Sequence, residues 1–182
     1  MAGYDWADEI MAVAITFVRG VGWREVGDLI GVQWSTERIA TFHDAQWQQV
    51  DSMAPVVQAA SLGDWLVLVE PNGYLTTMSE TAAALSAGGM AVSVFWNVNR
   101  LMNLVLAREG AVIRRFDPLL FASTAWGEPL PEEAGLVFGE VEPSPLIAAL
   151  ELTERLTGVR VERTWLLDEP RPTWAATEPA TG

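Results

Sequence analysis

The sequence predicts a single α+β domain: a central, mainly antiparallel sheet of about five strands with helices packed on one face. Three observations predict it. Half of the 182 residues are hydrophobic, enough for one sizeable core. Between Val56 and Phe116, short apolar or alternating runs are separated by turn residues, the pattern of a meander. Ser144-Pro145 then opens a stretch with apolar residues at helical spacing.

Taken in order, Trp6, Ile10, Ala14 and Phe17 recur at helical spacing, but Ile15-Thr16 is β-branched. A short helix near Trp6–Met11 therefore leads into a strand at Val13–Arg19, which Gly20 and Gly22 break. Trp23 to Ile30 reads as a short helix with Gly31 as its stop. Gln33 to Met53 has no clean period and reads as connecting structure. Val56–Ala60 is a strand. The run Trp65-Leu66-Val67-Leu68-Val69, between Asp64 and Glu70, reads as a strand buried on both faces. Pro71-Asn72-Gly73 supplies the turn.

Thr77-Met78-Ser79-Glu80 fits a capping box before a short helix that Gly88-Gly89 ends. Ala91–Val98, Leu101–Arg108 and Ala111–Phe116 are strands joined by turns at Asn99-Arg100 and Glu109-Gly110. Leu119–Pro143 is irregular and acidic. The helix from Pro145 to Thr157 carries an apolar stripe of Leu146, Ala149, Leu150 and Leu156, an i,i+4 pair of Glu151 with Arg155, and a stop at Gly158. Val159–Leu167 reads as a short edge strand. From Pro170 the Pro/Thr/Ala-rich sequence reads as a flexible tail, which sets the domain at 1–169 and the tail at 170–182.

Composition excludes much chemistry. There is no cysteine, hence no disulfide, thiolate metal site or cysteine nucleophile. His43 is the only histidine, too few for a protein-only zinc site, and no G-x-S-x-G elbow is present. Lysine is absent, so Schiff-base chemistry and a P-loop lysine are excluded. No catalytic residue, cofactor or metal is expected. The formal net charge of -13 repels nucleic acid and favours a basic or neutral protein partner. The apolar run Met11–Val18 is too short to span a membrane, and the acids Asp5, Asp8 and Glu9 before it do not suit a secretory signal. A cytoplasmic location is expected.

Candidate sites are few. Asp64 and Glu70 lie at opposite ends of one strand, roughly 20 Å apart, too far for a glycosidase pair at about 5–10 Å. His43-Asp44 has no nucleophile beside it. Trp65 and Trp96 read as core. Trp126, Trp165 and Trp174 lie in irregular or terminal segments, where a tryptophan either docks on the core or anchors a partner. Arg114 and Arg115 point to opposite faces, and one of them is expected to pair with an acid. The partner-binding surface is assigned to Trp126, Glu128, Glu132, Glu133, Glu140 and Glu142, because loops on a rigid scaffold often carry function.

The succession TFVRGVGWREVGDLIGV, GDWLVLVEPNGYLTTMSETAAALSAGGMAVSVFWNVN, LVLAREGAVIRRFDP and LIAALELTERLTGV resembles a family of uncharacterised actinobacterial domains, over about Thr16 to Val159. The likeness lies in layout, so it carries over no functional residue. More loosely, the layout is similar to small acidic immunity proteins of bacterial toxin systems. The expected function is a non-enzymatic acidic protein-binding module, immunity- or antitoxin-like in its most concrete form. A DNA-mimic inhibitor is one alternative. A small-ligand binder or enzyme with a Trp-lined carboxylate pocket is the other.

Overall fold

The computed structural model describes residues 3–177. The chain is α+β and its sheet is antiparallel throughout, but among the described residues it has eight strands, not about five. They are β1 (Val13–Arg19), β2 (Arg38–Ala40), β3 (Val56–Leu62), β4 (Trp65–Pro71), β5 (Met90–Trp96), β6 (Met102–Arg108), β7 (Ala111–Phe116) and β8 (Arg171–Ala175). The helices are α1 (Trp23–Leu29), α2 (Phe42–Ser52), α3 (Ser79–Leu85), α4 (Phe121–Thr124), α5 (Pro145–Thr157) and α6 (Arg163–Leu167). Strand order is β2-β8-β3-β4-β1-β5-β6-β7. The meander β3 to β7 accounts for the predicted five. Of the other three, β1 is the predicted Val13–Arg19 strand, whose place in the sheet is set by partners distant in sequence, and β2 and β8 are strands that the sequence does not predict. β1 separates β4 from β5, with Ile15 opposite both Val69 and Val94.

Helices cover both faces of the sheet, which corrects the one-face expectation. On one side Phe42 of α2, Leu146, Ala149 and Leu150 of α5 and Leu166 of α6 form a core with Ile15, Phe17, Val67, Val69, Val92 and Val94. On the other, Val26 and Ile30 around α1 and Leu85 of α3 pack with Val18, Leu68 and Ala91. The central strands are apolar on both sides, so neither face can be left in water. Leu156 of the predicted α5 stripe is only partly buried, while Gly158 ends the helix in the left-handed region as expected. Glu109 and Gly110 both have positive φ, 48° and 82°, the geometry of the tight hairpin their sequence predicts.

The segment Gln33–Met53 holds β2 and α2. A capping box opens α2: Thr41 Oγ1 accepts from the Asp44 amide, and Asp44 Oδ2 accepts from the Thr41 amide. No such box forms at Thr77, whose hydroxyl donates to the Tyr74 carbonyl while Met78 stands at the N-cap of α3. Val159–Leu167 is not a strand; it contains α6. Arg171 Nη2 donates to the carbonyls of Trp165, Leu166 and Glu169, closing the end of α6. Burial lowers the Arg171 guanidinium to about 10, so it is charged at neutral pH.

The tail expected from Pro170 is instead anchored in the sheet. β8 lies between β2 and β3, with Val57 opposite Trp174 and Arg38 opposite Thr173. The Gln58 amide donates to the Thr173 hydroxyl and the Ala40 carbonyl, joining all three strands. Trp174 is 3% exposed and packs on Trp23 and Trp34, with ring centroids 4.8 and 6.0 Å away. Residues 178–182 of the expected tail lie outside the described residues. Removing an aromatic side chain packed this way costs about 3–5 kcal/mol. Trp174→Ala is therefore expected to lose that much stability in urea unfolding; a loss under about 1 kcal/mol would show that β8 is not part of the core.

Candidate protein-binding surface

The predicted surface is built around one arginine. Pairing of β6 with β7 shifts register between Leu106 and Ala107, and beyond that shift Arg114 and Phe116 follow. Arg114 donates through Nε and Nη2 to both carboxylate oxygens of Glu133, at 2.7 and 2.8 Å. Its Nη1 donates to the carbonyls of Gly127 and Trp126, at 2.8 and 3.3 Å. The guanidinium also lies 5.1 and 5.4 Å from the ring centres of Phe116 and Phe121. The two charged side chains are only 3% and 10% exposed. A buried pair is tolerable because nearly every donor finds an acceptor and the geometry is bidentate. The expectation that Arg114 or Arg115 pairs with an acid is met by Arg114.

Further contacts fix the rest of the segment. Phe116, Phe121 and Phe138 form an aromatic trio with centroids 4.9 to 5.1 Å apart. Arg115 and Trp126 exchange backbone hydrogen bonds across the outer edge of β7. Gly127 follows with φ 87°, and a Cβ there would sit 2.1 Å from the Ile113 carbonyl oxygen, so no side chain fits. Arg155 Nη1 donates to the Glu132 and Ala134 carbonyls, both at 2.8 Å. The Gly139 amide donates to the Pro118 carbonyl and closes the loop. Residues 118–139 thus form a compact loop packed by its own side chains.

The six residues assigned from sequence fall into three groups. Trp126, 50% exposed, Glu128 and the half-buried Glu132 belong to the loop. Glu140 and Glu142 are exposed beyond its closure. Glu142 and Val141 there line a cleft of about 440 Å³ shared with Asp8, Met11, Val98 and Arg100. Glu133 is already neutralised by Arg114 and belongs to the scaffold, not to a solvated charge pair with Glu132. The remaining tryptophans of the tail region dock inward: Trp174 is buried, and the Arg171 guanidinium lies 4.2 Å over Trp165.

Other polar groups of chemical interest are engaged in holding the fold. Glu70 is 2% exposed, and no substrate can reach it. Its carboxylate accepts from the amides of Leu75 and Thr76 and from the Thr76 hydroxyl, which in turn contacts the Thr16 hydroxyl. It thereby pins the turn after β4 to the sheet. His43 is exposed and accepts from Trp47 Nε1 at 2.7 Å, while Asp44 caps α2, so the two do not act as an acid–base pair. Among the described residues, no three His, Asp or Glu side chains group as a metal site. Nor is any helix long and apolar enough to cross a membrane. A groove that the sequence does not reveal lies on α2, where Trp47 is 55% exposed beside Asp44 and Asp51. The acids stand three residues before and four after Trp47, a spacing readable only once Gln33–Met53 is recognised as helical.

Two measurements test this reading. Arg114→Met leaves Glu133 buried without a partner and is expected to cost about 3–5 kcal/mol, with the double variant Arg114→Met/Glu133→Leu recovering part of it in urea unfolding. Equal losses in the single and double variants would refute the pair as the anchor. The second concerns pH. Burial raises the Glu70 pKa, partly offset by the hydrogen bonds from Thr76 and Leu75. A carboxyl whose folded pKa lies above its unfolded value of about 4.3 contributes stability fully present below that value and lost as pH rises through the folded pKa. Glu70→Gln lacks this titration. Its stability relative to the native chain should be flat below the unfolded pKa and improve as pH rises. A difference independent of pH would contradict the assignment.

No curated protein and no solved structure matches the chain. Residues 2–171 match the model of a family of unknown function, DUF6461, and with nearly the whole length matched the chain belongs to that family.

Proposed function

We propose that the protein is a non-enzymatic binding module that uses the surface around residues 118–142 to engage a basic protein partner. An immunity-like neutralising role in an actinobacterial host is its most concrete form. One observation carries the proposal. The chain holds a long irregular loop in place with a buried ion pair, an aromatic trio and a strand bridge, yet leaves Trp126 half exposed with Glu128 in solvent beside it in sequence. A loop already ordered loses little entropy on binding. A tryptophan on a rigid support is the side chain most often found at interface hot spots. The net charge of -13 speeds encounter with a basic surface and makes the rate salt-dependent.

A DNA mimic needs a continuous ridge of carboxylates. Here the exposed acids are interrupted by Trp126, Val137 and Val141, all exposed, a mixture suited to a protein surface. The test is capture from host lysate with the native chain and with Trp126→Ala/Glu128→Gln/Glu142→Gln, a variant that keeps Arg114 and Glu133. The expected partner is basic, its association slows as salt is raised, and the variant binds at least about ten-fold more weakly. An acidic partner, salt-insensitive association or full binding by the variant would overturn the proposal.

A further inference from the structure

Helix α2 leaves two large apolar side chains in water. Its buried side chains are Phe42 and Ala45, and Gln46, Gln48 and Gln49 are half-buried, while Trp47 and Val50 face solvent. An amphipathic helix of a folded domain normally does the reverse. Trp47 is also held in one orientation. Its indole N–H donates to His43 Nε2 one turn earlier, and the two rings meet edge to face with centroids 5.8 Å apart.

Beside the indole runs a groove of about 480 Å³ lined by Arg38, Asp44, Trp47, Gln48, Asp51 and Ser52. Asp44 and Asp51 stand one turn before and one turn after Trp47 on the same stripe of the helix. Gln48 Oε1 is sealed from water and accepts no hydrogen bond. The one cation in the groove, Arg38, directs Nη2 to the Asp44 main-chain carbonyl, not to a carboxylate. The groove therefore combines the indole of a fixed tryptophan with two carboxylates, that of Asp51 and that of Asp44, whose Oδ2 already accepts from Thr41.

We propose that this groove is a second binding site, for an arginine side chain presented by a partner, with the guanidinium stacked on Trp47 between Asp44 and Asp51. A guanidinium is planar, stacks on aromatic faces and carries five donors in a fixed fork, which suits this set of acceptors; an ammonium offers a compact point charge. The site shares no residue with the loop around Trp126 and does not rest on the function proposed for that loop.

The test uses the full chain and the tripeptide acetyl-Gly-Arg-Gly-amide, with its lysine and glutamate counterparts. The Trp47 indole N–H resonance is assigned by its loss in Trp47→Phe, and the Gln48 side-chain amide serves as a second reporter. Saturable shifts of both with the arginine peptide are expected, with binding about three-fold weaker for lysine and none for glutamate. Asp51→Asn, which leaves the α2 cap intact, should weaken arginine binding about three-fold. Trp47→Ala, followed at Gln48, should weaken it about five-fold. Trp126→Ala should leave it unchanged. No saturable shift at millimolar peptide overturns the proposal. So does equal binding of lysine, or native affinity in Asp51→Asn.

Discussion

Every strong cation in this chain is an arginine, and that constraint shapes its interior. A lysine ammonium is a compact point charge, whereas a guanidinium divides its donors among several acceptors. Arg114 does this while nearly closed to solvent, and Arg171, equally buried, turns a single nitrogen, Nη2, to three carbonyls. Arg114 joins a carboxylate, two carbonyls and two aromatic rings, so it sets the path of 118–139 relative to β7. Arg171 gathers the last carbonyls around α6 and so ties that helix to β8. Where the chain is irregular, an arginine fork takes the place that a strand or helix would take elsewhere.

The same principle explains why the exposed surface is rigid. Main-chain carbonyls at Trp126, Gly127, Glu132 and Ala134 are all met by arginine donors. A loop whose carbonyls are satisfied by side chains need not join a sheet to be ordered. In the proposed function, the acids left outside form the recognition surface without also having to hold the fold. The neighbours hold the loop in different ways: Glu133 through its carboxylate and Glu132 through its main-chain carbonyl.

Much of the fold is legible in the sequence wherever the signal is local. Val13–Arg19, Ala111–Phe116 and Pro145–Thr157 have the predicted bounds, because β-branched runs, a tight turn and a Ser-Pro start each speak for themselves. β2 and β8 do not, since they are short and owe their conformation to partners far away in sequence. α2 is hidden for a different reason: its tryptophan and valine face water and its glutamines face the protein, so no helical stripe stands out. The candidate surface is legible in part. Trp126 and the run of acids mark it, but nothing in the sequence says which acid an arginine will claim. Glu133 is therefore indistinguishable from Glu132 until the loop is folded.

β8 lies between β2 and β3, although more than half the chain separates it from either. During synthesis β3 can pair with β4 as soon as that hairpin is made, but its other edge has no partner until residues 171–175 exist. For that interval the chain carries an open strand edge flanked by Val56 and Val57, a template on which another nascent chain could add itself. The strand that completes the sheet thus also acts as a late-arriving guard against misassembly, and crowding of unfinished chains is the condition under which its absence is felt.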